Sequence, residues 1–223
     1  MRVRILAAAL TAMSLFAAAP ASAFFYEVVI NGEVEFNQIN GGLLGDANTG
    51  DTVEARFILD VREFNDSTNF PTRGYVMDPN SFSLSFGGGP SIGLQNPTSP
   101  SDVPQFIIRN DDPAVDGFFL GSNVDGFNNG VALDQPGIFD AFRFNFLVTY
   151  DDDPLASLNL ANATGLYGFD GLTNFNMTID DGPFNAMGMV FDSMSITKIP
   201  VPAAWIMMVS GLLALGRWRK TAA

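Results

Sequence analysis

Residues 53–62 read VEARFILDVR, and this stretch decides the fold. Val53, Ala55, Phe57, Leu59 and Val61 place an apolar side chain at every second position, with Glu54, Arg56, Asp60 and Arg62 among those between. A period of two sends alternate side chains to opposite faces of an extended chain, so the stretch predicts a strand with one buried and one wet face. The pattern recurs at Phe142, Phe144, Phe146, Val148 and Tyr150, interleaved with Arg143, Asn145 and Thr149. It appears again, shorter, at Phe82, Leu84 and Phe86, which alternate with serines.

Working outward, Phe25–Ile30 and Gly32–Phe36 predict an opening strand, with a break at Asn31-Gly32, a dipeptide of the hairpin type, as the alternative. Gln105–Arg109, Phe118–Leu120, Phe175–Ile179, Met187–Phe191 and Met194–Ile199 supply further strands. Turn clusters separate them, among them Asn40-Gly41-Gly42, Asp78-Pro79-Asn80 and Asp151-Asp152-Asp153-Pro154. About eight to ten strands at this spacing indicate an all-β domain, an antiparallel β-sandwich of jelly-roll-like form. The 21 phenylalanines, against four tyrosines and two tryptophans, suit such a core. The Gly-, Pro- and Ser-rich run from Gly87 to Pro104 predicts a long surface loop joining two sheets. No repeat of fixed period and no internal boundary interrupts residues 24–198, which are enough for one domain with a sizeable core.

The two ends differ from this middle. Arg2 and Arg4, the apolar run Ile5–Ala19 and the small residues Ala21-Ser22-Ala23 form the three parts of a secretory signal peptide, which predicts a signal helix over 1–23 and a mature chain starting at Phe24. At the other end, residues 199–223 combine a proline pair, an apolar run and the basic cluster Arg217, Arg219 and Lys220. Ala203–Gly216 alone would reach about 21 Å as a helix, short of a hydrocarbon core of about 30 Å. Ile199–Trp218 reaches across it, with Trp205 and Trp218 at the interfaces and the basic side chains snorkelling. This predicts a single transmembrane helix. A buried or interfacial helix is the alternative, but all three charges lie at one end and leave no polar face for water. Both termini place their positive charges on the cytoplasmic side, so the middle is the translocated part.

The order Pro-x-Pro, short apolar helix, arginine-rich end resembles the PEP-CTERM class of bacterial C-terminal sorting signals. The match is closer to its VPLPA-CTERM variant, here Ile199, Pro200, Val201, Pro202 and Ala203, with Val201 where the main motif has Glu. The resemblance implies an exosortase substrate. Such a protein is held in the inner membrane as a precursor, processed by an exosortase-like enzyme and passed to the cell surface or extracellular matrix as a secreted product. Asn31-Gly32-Glu33-Val34, followed by the Gly50-Asp51-Thr52-Val53 stretch, is also similar to the β-rich bodies of proteins with such tails. That likeness implies no activity.

Composition removes several function classes. Residues 24–198 hold six basic against 24 acidic residues, a formal charge of −18, which argues against nucleic acid, since that needs a basic footprint. With no cysteine there is no disulfide and no thiolate site. With no histidine there is no Ser-His-Asp or Cys-His catalysis and no imidazole-bound metal. Paired carboxylates remain, from Glu27, Glu33, Glu35, Glu54 and Glu63, but most fall on alternating strand positions that face solvent. The acidic turns, notably Asp111 and Asp112 with Asp151, Asp152 and Asp153, offer the hard oxygen ligands that calcium takes, though none matches an EF-hand loop. Three Asn-x-Ser/Thr triplets fit the glycosylation pattern and carry no weight in a bacterial setting.

Two function classes survive. One is a structural or adhesive surface protein, without catalysis or cofactor, whose partner could be extracellular polysaccharide. The other is a carbohydrate-binding or carbohydrate-active module. The second needs exposed Trp or Tyr as a sugar platform, and before the tail only Tyr26, Tyr75, Tyr150 and Tyr167 are available. Where these four point separates the readings.

Overall fold

The computed structural model describes residues 24–96, 98–111, 115–125, 129–151, 153–182 and 185–200. The expected signal helix at 1–23 and the tail from Val201 onward, including Pro202, Ala203, Arg217, Arg219 and Lys220, lie outside the described residues. Among the described residues, no helix is long and apolar enough to cross a membrane. Phe24–Lys198 forms one compact unit.

The alternating stretch becomes β2 (Thr52–Asp66), with Val53, Ala55, Phe57 and Leu59 buried and Glu54 exposed. Around it stand β1 (Phe25–Asn37), β3 (Thr72–Met77), β4 (Ser83–Phe86), β5 (Gln105–Arg109) and β6 (Asp116–Gly121). They are followed by β7 (Val131–Pro136), β8 (Ala141–Tyr150), β9 (Gly165–Tyr167), β10 (Leu172–Asp180) and β11 (Ala186–Lys198). A one-turn helix, α1 (Gly42–Gly45), and a 3-10 turn at Leu160–Asn162 are the helical pieces of the described chain. The domain is therefore all-β, as the alternation predicts.

All the ladders are antiparallel and belong to one sheet of order β1-β11-β10-β8-β6-β5-β3-β2-β4, which the β1–β2 pairing closes on itself. The inward face thus packs against itself, sandwich-like, around one core. Its connectivity differs from the jelly-roll expectation. A jelly roll needs Greek-key crossings, whereas here β1, β2, β3, β5, β6, β8, β10 and β11 each pair with the next of that series. Strand spacing in a sequence is the same for either connectivity, which is why it could not distinguish them.

The wall forks at two strands. β2 pairs with β4 through Val53–Arg56 and with β3 from Leu59 onward, while β8 pairs with β7 near its start and with β6 from Leu147 onward. The bridges Leu84↔Ile92 and Leu94↔Leu133 complete the β4–β7 branch. The run from Gly87 to Pro104 joins the two branches, but it is more than a surface loop. Ile92 and Leu94 are buried, and they are separated by Gly93 in strand-like alternation.

The structure also decides the continuity of the first and last strands, and the opening strand stands unbroken. Asn31-Gly32 does not turn the chain, because β1 runs straight through and only its register against β11 shifts there. A β-carbon at Gly32 would collide with the carbonyl of Val190, so the glycine serves close approach across a bulge. Likewise Met187–Phe191 and Met194–Ile199 are one strand, β11, which ends at Lys198.

Phe57, Phe106, Phe118, Phe144, Phe146 and Phe191 are fully buried in a single cluster. Each contributes about 1.5–3 kcal/mol on burial. Phe106 stacks on Phe118 at 5.7 Å and meets Phe57 at 5.6 Å, while Phe146 meets Phe191 at 5.9 Å. Outside the sheet, Arg143 on β8 grips the Asp102 carboxylate with two bonds of 2.7 and 2.9 Å and donates to the carbonyls of Asn129 and Gly130. That ion pair ties the 87–104 connection to the β7–β8 hairpin.

Candidate functional site

β5 and β6 are joined across one end of the ring, and β8 ends beside them, with Asp116 opposite Tyr150. This juxtaposition brings together Asp111, Asp116 and Asp153, whose carboxylate oxygens lie within 4.8 Å of one another. Asp116 is buried, and the other two are exposed. Asp111 and Asp153 adopt left-handed backbone angles, φ +56° and +52° respectively, which Asp tolerates better than most residues and which turn both side chains toward a common point.

The hydrogen bonding explains why a carboxylate is buried here. Asp116 Oδ1 accepts from the Asp111 N–H at 3.0 Å, and Oδ2 accepts from the Leu155 N–H at 2.7 Å. One side chain thus satisfies a donor in the β5–β6 turn and another in the segment after β8. Asn110 donates its Nδ2 to Asp111 Oδ2 at 2.9 Å and holds that carboxylate in place. Burial pushes the Asp116 carboxyl above the usual carboxylate range; the two backbone donors oppose the shift, and the neighbouring Asp111 and Asp153 charges reinforce it. Tyr167 has its hydroxyl pushed up to about 12, first by burial and then by Asp116.

Of the expected calcium ligands, Asp111 and Asp153 are in this group. Asp112 and Asp152 lie outside the described residues, and Asp151 is exposed and stands apart from the three. The residue at the centre, Asp116, was legible only as one more acidic turn position, because its burial depends on a pairing with β8 that no local pattern encodes. The three carboxylates offer oxygen ligands of the hard kind that calcium takes, and two lone pairs of Asp116 are already given to amides. Among the described residues no second acidic group of this kind occurs.

The four tyrosines are tied to the core and its loops. Tyr26, Tyr75 and Tyr150 are buried, and Tyr167 is half-buried. The Tyr75 hydroxyl donates to the Leu158 carbonyl at 2.8 Å and accepts from the Leu160 N–H at 2.9 Å. Tyr150 donates to the Gly168 carbonyl, and Tyr167 donates to that of Ala163 at 2.8 Å. These hydroxyls bind the 158–168 segment to the ring. Of the candidate glutamates, Glu33, Glu35, Glu54 and Glu63 are exposed on outer strand faces. Glu27 and Glu54 share Arg56, at 2.7 and 3.4 Å.

Beside this geometry, comparison with known proteins adds nothing. No family model, curated protein or solved structure matches the chain.

Of the sorting motif, Ile199 and Pro200 are described. They follow β11 outside the sheet, Ile199 half-buried and Pro200 exposed. Lys198, immediately before them, is paired with Tyr26.

Proposed function

We propose that residues 24–198 form an exported structural or adhesive domain, delivered to the cell surface or extracellular matrix by a C-terminal sorting tail of the PEP-CTERM kind, and that the domain performs no catalysis. The inward-facing tyrosines carry this reading. A sugar-binding face would present Tyr or Trp to solvent, and here the Tyr75, Tyr150 and Tyr167 hydroxyls hydrogen-bond the 158–168 segment while Tyr26 is buried. The Asp102–Arg143, Asp66–Arg73 and Asp60–Arg62 pairs likewise spend charged side chains on holding the fold.

Delivery follows from the ends of the chain. The N-terminal pattern directs export, and the apolar run after Pro202 holds the precursor in the inner membrane. An exosortase-like enzyme then cuts near Pro200–Ala203. Proline at 200 and 202 keeps that segment extended, the form in which a protease binds a chain. The test is intact mass and fractionation in the native host, with a Pro200→Ala, Pro202→Ala variant alongside. The expected product begins at Phe24, lacks the tail and is found with the surface or matrix fraction, while the variant stays in the membrane. A wild-type protein that keeps its tail indefinitely would make the tail a permanent anchor. Saturable binding of the released domain to one class of glycan would favour the carbohydrate-binding alternative.

A further inference from the structure

We propose that Asn40-Gly41, in the loop between β1 and α1, is a self-modification site: the Asn40 side chain loses ammonia, the backbone rearranges to an isoaspartyl link, and the α1 turn loosens. The reaction needs an asparagine whose side-chain carbonyl carbon can be reached by the backbone nitrogen of the next residue. Glycine in that next place leaves the nitrogen unshielded and the backbone free to rotate. The chain has three such pairs, Asn31-Gly32, Asn40-Gly41 and Asn129-Gly130. They are alike in sequence, and the fold separates them.

Asn31-Gly32 lies inside β1, paired with Ser193 and Phe191 of β11 on one side and with Glu54 and Val53 of β2 on the other. Gly32 is buried with the Val190 carbonyl against it. Asn129 is held through its side chain: Oδ1 accepts from the Ser122 N–H at 3.0 Å, and Nδ2 donates to Ser122 Oγ at 2.6 Å. The backbone carbonyls of Asn129 and Gly130 both accept from Arg143. Neither pair can bring nitrogen to carbon without a local opening of the fold.

Asn40-Gly41 lacks these restraints. Both residues are exposed and outside any strand. Gly41 has φ +89°, the space beside its α-carbon is open, and its N–H donates to no group among the described residues. The Asn40 Nδ2 donates to the Gln38 carbonyl at 3.3 Å, longer than an ordinary bond of this kind. The loop is fastened on either side of the pair, since Asn37 donates to the Leu44 and Ala47 carbonyls and Ile39 and Leu44 are buried.

In the reaction the Gly41 nitrogen gives its proton to solvent base and bonds to Asn40 Cγ. The Cγ–Nδ2 bond breaks, ammonia leaves, and a cyclic imide remains. Water then opens the imide at either carbonyl, giving aspartate or isoaspartate, with no oxidant or reductant required. Isoaspartate routes the main chain through Cβ and so lengthens it ahead of Gly41. The Gly41 carbonyl accepts from the Gly45 N–H at 3.1 Å, the bond that closes α1, and the added length pulls it away.

The test incubates the full-length chain in mildly alkaline buffer, folded and in urea, beside an Asn40→Gln variant, whose longer side chain closes the ring far more slowly. Isoaspartate is measured by methyl transfer from S-adenosylmethionine with an isoaspartyl methyltransferase and located by peptide mass mapping. In the folded chain position 40 is expected to convert at least about tenfold faster than positions 31 and 129, and in urea the three rates should converge, because only local opening exposes the other two. Asn40→Gln should remove most of the folded chain's isoaspartate, and the Gly45 amide should exchange faster in converted than in fresh protein. Equal rates at the three positions in the folded chain, or an undiminished isoaspartate yield from Asn40→Gln, would overturn the site. Rates that stay as far apart in urea would overturn the role given to the fold. Unchanged exchange at Gly45 would overturn the loosening of α1.

Discussion

Replacing Tyr75 by phenylalanine tests how the ring holds the segment after β8. The ring of Tyr75 is buried, so Phe leaves no cavity and the change isolates the hydroxyl. Two bonds disappear, the one donated to the Leu158 carbonyl and the one accepted from the Leu160 N–H. The amide is the costlier loss: it is buried, it has a single hydrogen, and leaving it unpaired costs about 1–3 kcal/mol. The carbonyl has two lone pairs and adds less, so the expected loss is about 2–3 kcal/mol. For a domain of this size that corresponds to a fall in Tm of about 4–12 °C. Tyr167→Phe is the internal control. Its half-buried hydroxyl donates to the Ala163 carbonyl, which water can reach once the hydroxyl is gone, and about 1 kcal/mol is expected. Both are read by thermal and urea unfolding of residues 24–198, with amide exchange at Leu160 as the local reporter. If Tyr75→Phe is no less stable than Tyr167→Phe, or Leu160 keeps its protection, the hydroxyl is not the tie described.

Two carboxylates should respond to pH in opposite directions. Arg143 holds the Asp102 carboxyl below the usual range, so its contribution is full above the unfolded value of about 4 and is lost as pH falls through the lowered one. Asp102→Asn should therefore lose about 1–3 kcal/mol at neutral pH, and its gap to wild type should close in acid; a gap independent of pH would contradict the pairing. Burial raises the Asp116 carboxyl, so its contribution is full below the unfolded value and is lost as pH rises through the folded one. Asp116→Asn loses one amide acceptor at every pH, but its gap to wild type should narrow from acid to neutral; a gap that widens would contradict the raised value. Calcium and magnesium at equal concentration should raise the Tm of the domain equally, as screening of its negative charge requires. A calcium-specific rise abolished by Asp153→Ala would show a site at Asp111, Asp116 and Asp153.

Much of the sheet was legible because its signal is local. The period-two runs at Val53–Val61 and Phe142–Tyr150 became β2 and β8 with the buried faces that the alternation predicts. The strands that escaped notice lack that signal. β3 has Gly74 in its middle, β7 ends in Asp134-Gln135-Pro136, and β9 is three residues long with an exposed pattern. Such segments become strands because a partner strand is present, and partners are a property of the whole ring. The same holds for the closure of β1 on β2 and for the forks at β2 and β8, which depend on which edge each strand meets.

The candidate site was less legible, and the reason lies in what polar side chains do in this domain. A run of aspartates in a sequence looks like a place for a cation. In the structure Asp116 instead caps the Asp111 and Leu155 amides, and its raised carboxyl reflects the burial that this task imposes. Asn37 acts in the same way at the other end of the ring. It donates to the carbonyls of Leu44 and Ala47 and accepts from the Ile39 N–H, closing the loop that carries α1. Tyr75 does so for the Leu158–Leu160 segment. A closed ring with long connections leaves many loop amides and carbonyls near the core, each of which needs a partner there. Side chains from the strands supply those partners, so an inward-facing Asp, Asn or Tyr in this chain points first to a loop being held. A ligand site in this chain needs acceptor capacity beyond such ties, and Asp116 keeps some, since the two amides take two of its carboxylate's roughly four lone-pair positions.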